Sequence, residues 1–169
     1  RTEEAIRHAE RTPFDLRELV RSTTRAYGDA FPTHHFVARV PEGNCEFIGA
    51  PDLIVQLLDK LVENAVDFSA AATLIEIVLE TENGEYLLAV DNEGVPLTEE
   101  VRARLFESMF HQRPEGAGKP HFGLGLYIVR LIAQAHGGDV LARNLPDRKV
   151  RIGVRLRAPG HPGSPWTST

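Results

Sequence analysis

The chain has 169 residues, of which 42% are hydrophobic and 25% charged, and these ordinary globular values exclude a wholly disordered or collagen-like chain. Nineteen Lys and Arg against 24 Asp and Glu give a formal net charge of -5, which disfavours a general binder of nucleic acids or anionic membranes. The single cysteine, Cys45, excludes a disulfide framework and a cysteine-rich zinc site. No apolar run approaches the length of a membrane span, and no signal peptide is visible. Because the chain begins at Arg1 rather than at a Met, we expect a fragment of a longer protein.

The first 70 residues predict three helices and two short strands. Pro13 ends a charged N-terminal helix, because proline removes a backbone donor, and Asp15 then caps a second helix. The third helix begins at Pro51 and is apolar on more than one side, so we expect it to be deeply packed. A turn at Pro41-Glu42-Gly43-Asn44 separates the two strands. The expected elements are helices over 2–11, 15–30 and 51–66 and strands over 36–40 and 45–48.

The rest of the chain predicts four strands, two helices and a loop rich in glycine and proline. Glu82-Asn83-Gly84 is typical of a hairpin turn, and Thr98 caps a helix whose first turn is acidic. The stretch 112–122 contains two glycines and two prolines and is predicted to be a mobile loop. Residues 159–169 are rich in Gly, Pro and Ser and are predicted to be disordered. The expected elements are strands over 73–79, 86–90, 139–143 and 149–157 and helices after Thr98 and over 123–135.

A polar residue on the third helix is the first candidate for chemistry. Asn64 lies on a helix that is otherwise apolar nearly all round. A buried amide has to be hydrogen-bonded or to coordinate something, and its carbonyl oxygen is a hard ligand suited to Mg²⁺. Taken alone, the pattern is more typical of a core asparagine whose hydrogen bonds are satisfied.

A polar turn after the strand over 86–90 is the second candidate. It reads Val90-Asp91-Asn92-Glu93-Gly94-Val95-Pro96-Leu97. An Asp or Asn at the end of a strand can accept a hydrogen bond from an exocyclic amine of a ligand. Turns of this composition are common, so the segment alone is a weak signal.

The third candidate is Phe122-Gly123-Leu124-Gly125-Leu126-Tyr127-Ile128-Val129, where two glycines lead into an apolar helix. Glycines at the mouth of a helix let backbone N–H groups approach a phosphate, and the helix dipole favours the anion. The segment therefore indicates a phosphate-binding helix start.

In this order and spacing the three segments resemble the N-box and the two glycine boxes of the histidine-kinase-type ATPases, the GHKL superfamily. Leu105-Phe106-Glu107-Ser108-Met109-Phe110 is similar to the F-box of that family, His136-Gly137-Gly138 to its usual helix ending, and Phe14-Asp15-Leu16 to its opening segment. The resemblance covers about Phe14 to Arg157 and points to the catalytic and ATP-binding domain of a bacterial sensor histidine kinase.

The resemblance implies an α+β fold, a two-layer α/β sandwich with a mixed, mostly antiparallel sheet and helices on one face. It also implies three parts of the chain. Residues 1–12 would be the end of an upstream dimerisation helix or linker, 13–158 the ATP-binding catalytic domain, and 159–169 a disordered tail.

The resemblance further implies a set of site residues. Asn64 would hold Mg²⁺ and act in catalysis together with Lys60, and Gly94 would lie under the adenine. Gly123 and Gly125 would contact the phosphates through their backbone, and the loop over 112–122 would be a lid over the ATP. The complete set of predicted ATP-binding residues is Lys60, Asn64, Asp67, Asp91, Asn92, Gly94, Val95, Leu97, Phe110, Arg113, Lys119, His121, Phe122, Gly123, Leu124, Gly125 and Leu126.

Several positions depart from the family pattern. Lys60 stands where an Asn is common, Asp67 where a Lys is common, and His121 where the second glycine box usually begins. The adenine-reading Asp of the first glycine box becomes Asn92 when the segment is aligned on Gly94, and an Asn can still accept a bond from the adenine amine. Asp91 is one residue away, so we expect its side chain on the opposite side of the strand.

The resemblance implies transfer of the γ-phosphoryl group of Mg²⁺–ATP to a histidine on an upstream dimerisation domain, and then to an Asp of a response regulator receiver domain. It implies a homodimeric, membrane-anchored full-length protein of the bacterial inner membrane, with this domain in the cytoplasm and no nucleic-acid partner. Two alternatives remain. One is a chaperone, topoisomerase or mismatch-repair ATPase of the same fold, which typically carries a Glu where this chain has Lys60. The other is a degenerate, non-catalytic module that binds a nucleotide or a partner.

Overall fold

A computed structural model describes residues 2–108 and 125–160 of the chain. The helices in these ranges are α1 (Thr2–His8), α2 (Leu16–Ala30), α3 (Pro51–Asp67), α4 (Glu99–Arg104) and α5 (Gly125–Ala135). The strands are β1 (Thr12–Asp15), β2 (His35–Arg39), β3 (Glu46–Gly49), β4 (Leu74–Glu82), β5 (Glu85–Glu93), β6 (Asp139–Leu145) and β7 (Lys149–Arg157). Within the described ranges, no helix combines the length and the apolar character that crossing a bilayer requires.

A five-stranded sheet with the order β2-β4-β5-β7-β6 forms the centre of the fold. The β2–β4 pair is parallel and the other three pairs are antiparallel, so the sheet is mixed and mostly antiparallel. Helices α2, α3 and α5 pack on one face of this sheet. A separate antiparallel pair joins β1 to β3. The predicted fold class, a two-layer sandwich with helices on one face, is confirmed.

Side-chain alternation along the strands separates the core from the other sheet face. On β5, Tyr86, Leu88 and Val90 belong to the core under the helices, whereas Leu87 and Ala89 point the other way. Helix α3 contributes the largest helical share of the core, because its buried residues recur every three or four positions and form one broad apolar face. Its buried residues are Ile54, Leu57, Leu58, Leu61, Val62 and Ala65.

Local capping explains where the helices begin. The Asp15 carboxylate accepts a hydrogen bond from Arg17 N at 3.0 Å and another from Cys45 N at 2.9 Å, so one side chain caps α2 and holds the start of β3. Pro51 occupies the first turn of α3, where its missing N–H costs nothing. Thr98 accepts a bond from Val101 N at 3.2 Å at the start of α4. All three helix starts agree with the sequence-based prediction.

The strands around the Pro41-Glu42-Gly43-Asn44 turn differ most from the prediction, because they do not pair with each other. β2 joins the central sheet beside β4, whereas β3 pairs with β1 in the small sheet. β1 was not predicted at all, because a four-residue strand containing Pro13 has no periodicity to detect. The first helix ends at His8 rather than at residue 11.

Candidate functional site

One face of α3 lies between two glycines that come from distant parts of the chain. Lys60, Asn64 and Phe68 are spaced four residues apart, so they share a helix face and extend over about 12 Å along its axis. Gly125 lies beside this face at the Lys60 end and Gly94 lies beside it at the Phe68 end. The three predicted motifs therefore converge on one surface of α3.

The Gly94 end of this surface is closed against any side chain. A Cβ atom placed on Gly94 would lie 2.9 Å from the carbonyl oxygen of Phe68, so only glycine allows the backbone to come this close. Gly94 N donates to Arg148 O at 2.9 Å, which fixes the turn to the β6–β7 hairpin. Asn92 is 5% exposed and lies on the helix side of β5, with its Nδ2 donating to Glu93 O at 3.1 Å. Its amide oxygen has no donor among the described residues and is available to a ligand.

The Gly125 end is open among the described residues. Outside α5 itself, the only described atom within 4 Å of a Cβ placed on Gly125 is Cδ of Lys60, at 3.8 Å. Lys60 therefore passes beside the first residue of α5, where backbone N–H groups have no partner within the helix. Its Nζ lies 3.7 Å from the carboxylate of Glu63, a weak contact one turn along α3. This end combines a cation with a helix N-terminus, and both favour an anion.

Asn64 stands between the two ends. Its side chain is half-buried rather than fully buried as expected, and none of the described residues forms a hydrogen bond with its amide. No group of three or more His, Cys, Asp or Glu side chains that could hold a metal ion occurs in the described ranges. A metal at this surface would therefore depend on the Asn64 oxygen and on oxygens that a ligand brings.

The loop after Gly94 is fixed by a contact that the sequence did not suggest. Asn144 of β6 forms two hydrogen bonds with the backbone of Leu97, accepting from N at 2.8 Å and donating to O at 2.9 Å. Leu97 is buried in the core, whereas Val95 is 74% exposed. The two residues were predicted together as ligand contacts, but only Val95 presents its side chain outward.

Asp91 lies on the sheet face opposite the helices, as its position in the strand predicted. Its carboxylate forms a bidentate pair with Arg151, with N–O distances of 2.8 and 2.9 Å, and contacts Arg39 at 3.4 Å. The Arg39 guanidinium also contacts Glu76, and so does the ammonium group of Lys149. The Asp91–Arg151 pair is therefore part of an ion-pair network across four strands. Hydrogen bonds with Asp91 raise the pKa of Arg151. The structure thus separates Asp91 from the surface of α3 on which the other predicted residues converge.

His136, at the end of α5, joins two helices behind this surface. Ala50 N donates to Nε2 at 3.1 Å, and Nδ1 donates to Ile132 O at 2.8 Å, so both ring nitrogens are used by a neutral imidazole. The ring is fully buried and stacks on Phe47 at 5.8 Å. Burial lowers the pKa of His136 from its ordinary 6.5 to about 4, and the charge of Arg11 acts in the same direction.

The remaining predicted residues have varied locations. Asp67 is exposed at the end of α3, and Leu126 is half-buried against the core from the first turn of α5. The predicted lid over 112–122 and several predicted contacts lie outside the described residues, as do residues 161–169 of the predicted tail. These contacts are Phe110, Arg113, Lys119, His121, Phe122, Gly123 and Leu124.

Comparison with known proteins gives a consistent result. Residues 49–160 match the family model described as histidine kinase-, DNA gyrase B-, and HSP90-like ATPase. The chain is 27% identical over 145 residues to the sensor protein CreC of Escherichia coli K12, covering 86% of this chain and 30% of CreC. It is 29% identical over 147 residues to the sensor-type histidine kinase PrrB of Mycobacterium tuberculosis, covering 87% of this chain and 32% of PrrB. The chain thus spans about a third of the length of these relatives.

Solved structures show the same similarity. The catalytic domain of the histidine kinase ThkA superimposes with a TM-score of 0.76 at 26% identity, covering 88% of this chain and 96% of that domain. The ATP-binding domain of PrrB from Mycobacterium tuberculosis gives a TM-score of 0.72 at 24% identity, covering 89% of this chain and 99% of that domain, and supports the fold alone.

Proposed function

This chain belongs to the family of histidine kinase-, DNA gyrase B- and HSP90-like ATPases, and on that premise we propose that it is the catalytic domain of a sensor histidine kinase, which binds Mg²⁺–ATP on the face of α3 that carries Lys60 and Asn64. The observation that carries the proposal is the convergence of Gly94, Asn64, Lys60 and Gly125 along one helix face. A nucleotide needs hydrogen-bonding groups for its base at one end and anion-binding groups at the other, and Asn92 and Lys60 lie near the two corresponding ends of this face.

The residues present suit the proposed ligand. Where the Gly94 backbone lies against Phe68 O, the amide oxygen of Asn92, which accepts no bond from a described residue, can accept one from an adenine amine. At the other end, Lys60 Cδ is the one described atom outside α5 within 4 Å of a Cβ placed on Gly125, which leaves phosphate oxygens a route to the backbone there. The side-chain amide of Asn64, which bonds to no described residue, lies between them and supplies a hard oxygen of the kind that Mg²⁺ prefers.

Each residue then has a proposed task. Asn64 orients the metal through its side-chain oxygen, and Lys60 places positive charge next to the phosphates. The first N–H groups of α5 donate to phosphate oxygens, and Asn92 fixes the base. Bound Mg²⁺ would neutralise charge on the transferring phosphoryl group, which is the main electrostatic requirement of this chemistry.

The proposed acceptor is a histidine on a dimerisation domain outside this chain. The ThkA kinase has been solved in complex with the response regulator protein TrrA, and its similarity to this chain in fold supports an analogous receiver domain as the final acceptor here. We also propose that the full-length protein is a homodimer anchored in the inner membrane of a bacterium, with this domain on the cytoplasmic side, where ATP is found.

Isothermal titration of the 169-residue chain with ATP, with and without Mg²⁺, tests the proposal. Asn64→Ala is expected to weaken Mg²⁺–ATP at least about tenfold and to leave metal-free ATP nearly unchanged, because the side chain acts through the metal. The stability of the ligand-free domain is expected to change little, since no described residue bonds to the Asn64 amide.

Gly125→Val provides a second variant at the other end of the surface. A branched side chain there would block backbone approach to the phosphates, so ATP affinity is expected to fall below detection while the melting curve stays cooperative. Retention of wild-type Mg²⁺–ATP affinity by both folded variants would refute this location of the site.

A further inference from the structure

Strand β6 forms one edge of the central sheet. Among the described strands it pairs with β7 alone. Along the edge runs a groove of about 450 Å³, whose floor includes residues 139–142 and whose walls are α4 and the outer face of α5. Ala103 and Phe106 line one wall, and Arg130 and Gln134 line the other. The backbone of an edge strand offers a row of hydrogen-bonding groups to another strand, and the groove leaves room for one.

The residues of this edge are complementary to themselves when two copies run antiparallel. If the two strands pair about Leu141, then Asp139 of each copy lies opposite Arg143 of the other. Leu141 meets Leu141 between these two charge pairs, on the sheet face away from the helices. Val140 and Ala142, which lie on the helix side of β6, then face each other across the seam. In this register, opposite charges and apolar residues are paired on one face of the sheet, and apolar residues are paired on the other.

The two charges are available for such a pairing. Both side chains are exposed, and neither forms an ion pair with a described residue. Asp139 Oδ1 accepts only from Val140 N of its own strand, at 2.8 Å. On the inner side, Arg143 lies opposite Arg151, whose guanidinium already holds Asp91. The neighbouring strand therefore supplies no carboxylate to Arg143, and a second copy would supply one.

We propose that β6 is a self-association surface, through which two copies of this chain join their central sheets antiparallel about Leu141. The product is a ten-stranded sheet in which Asp139 and Arg143 form two symmetric cross-strand ion pairs. Opposite charges placed directly across such a ladder are stabilising and like charges are destabilising, so the same residues select this register over its neighbours. Few residue pairs contribute, so the association is weak for free chains and strengthens when two copies are tethered in a longer protein. It does not depend on nucleotide binding.

Charge reversal tests the proposal by sedimentation velocity of the full chain over a concentration series reaching about 1 mM, the weak end of measurable association. Asp139→Arg and Arg143→Asp, each alone, are expected to raise the dimer dissociation constant at least about tenfold. An equimolar mixture of the two variants restores complementary pairs at both positions, and so does the double swap in one chain; both are expected to dimerise within about threefold of wild type. Arg25→Asp, at an exposed site on α2, controls for the change in net charge.

Cross-linking tests the register. In a Cys45→Ala background, Leu141→Cys is expected to form a disulfide-linked dimer, because the two Cα atoms across the axis lie about 4.5–5.5 Å apart. Leu145→Cys is the control, since its two copies would be about 26 Å apart. The proposal is wrong if the wild-type chain stays monomeric at the highest concentration, or if it dimerises with equal strength after the single reversals. Dimers that cross-link equally well through both cysteines would also refute it.

Discussion

Lys60 is one of the positions at which the sequence departs from the family pattern that it resembles, and it lies at the proposed site. Its side chain is 30% exposed, and its stem passes Gly125, so its ammonium group can reach a phosphate at the start of α5. A charge-assisted contact of this kind contributes about 1.5–3 kcal/mol.

Lys60→Ala is therefore expected to weaken ATP binding about tenfold or more and to leave adenosine binding nearly unchanged. Calorimetric titration with both ligands measures the difference. Lys149→Ala is the matched control, because Lys149 pairs with Glu76 on the opposite sheet face and is expected to affect neither ligand. Equal losses for ATP and adenosine at Lys60→Ala would mean that Lys60 does not meet the phosphates.

The neighbours Asp91 and Asn92 provide a second comparison, because adjacent strand residues point to opposite faces of the sheet. Asn92→Ala is expected to weaken ATP and adenosine binding equally, by about three- to tenfold, since it removes one hydrogen bond to the base.

Asp91→Ala is expected to leave nucleotide affinity within about twofold but to lower the free energy of unfolding by about 3 kcal/mol or more, because Arg151 loses its partner. Titration and urea denaturation of each variant separate these effects. If the Asp91→Ala protein folds but no longer binds ATP, Asp91 contributes to nucleotide binding and its exclusion from the site is wrong.

At the scale of single residues, the sequence predicted which face of the sheet a side chain points to, but not which residues of other strands it contacts. Alternation along β5 sufficed to put Asp91 and Asn92 on different faces. It could not indicate that Arg39 and Arg151 hold the Asp91 carboxylate, because these residues lie on other strands and register is set by the whole sheet. Asn144 was missed for the same reason: an exposed-looking polar residue on a strand gives no sign that it will cap a loop 47 residues earlier.

Among the elements, helices were predicted better than strands. Caps at Asp15 and Thr98 and the proline at the start of α3 are local signals, so the helix starts were correct. β4 and β5 extend to the Asn83-Gly84 turn, beyond the predicted ends, because pairing in the hairpin carries polar residues into the ladder. Asn83 and Gly84 have φ values of 52° and 76°, the left-handed conformation that such a two-residue turn requires. β2 and β3 lie in two different sheets because each pairs with a strand elsewhere in the chain, and the sequence of the turn between them does not specify those pairings.

Helix α1 gives a prediction at the same scale. Although residues 1–12 were assigned to an upstream part, α1 packs on α5, with Ile6 only 3% exposed in the core. Tyr127 OH also donates to the Glu3 carboxylate at 2.7 Å.

Ile6→Ala is therefore expected to lower the free energy of unfolding by about 2–4 kcal/mol, as for other buried aliphatic truncations. Tyr127→Phe removes only an exposed bond and is expected to lower the free energy of unfolding much less than Ile6→Ala does. Urea denaturation followed by circular dichroism measures both. If Ile6→Ala unfolds at the same urea concentration as the wild type, α1 belongs to an upstream part, and the predicted boundary at residue 12 gains support.

The whole molecule is expected to lose stability in acid through His136. A proton on Nε2 would break the bond from Ala50 N and place a charge in the core near Arg11. The unfolded chain binds this proton below its ordinary pKa of 6.5, and the folded chain only below about 4, so unfolding takes up a proton in this window. Stability is then complete above pH 6.5 and falls as the pH decreases towards 4, by up to about 3 kcal/mol.

Urea denaturation at several pH values between 4 and 7.5 measures this dependence. His136→Gln keeps an acceptor for Ala50 N and cannot be protonated, so it is expected to be less stable than the wild type at pH 7 and to lose less stability as the pH falls. Parallel curves for the two proteins would show that other groups account for the acid sensitivity.

The strand order has a consequence for how this molecule is made. β7 is the last strand in the chain, yet it lies between β5 and β6, and β6 has no other partner in the described sheet. A ribosome delivers the chain from its N-terminus, so the helices and the β4–β5 hairpin emerge while one edge of β5 is still bare. Through this interval the nascent chain exposes a nine-residue edge that any other strand could join, and chaperone binding is favoured there. We therefore expect the sheet to close only when Arg157 has left the exit tunnel, so that the proposed nucleotide surface is completed after the domain has been translated.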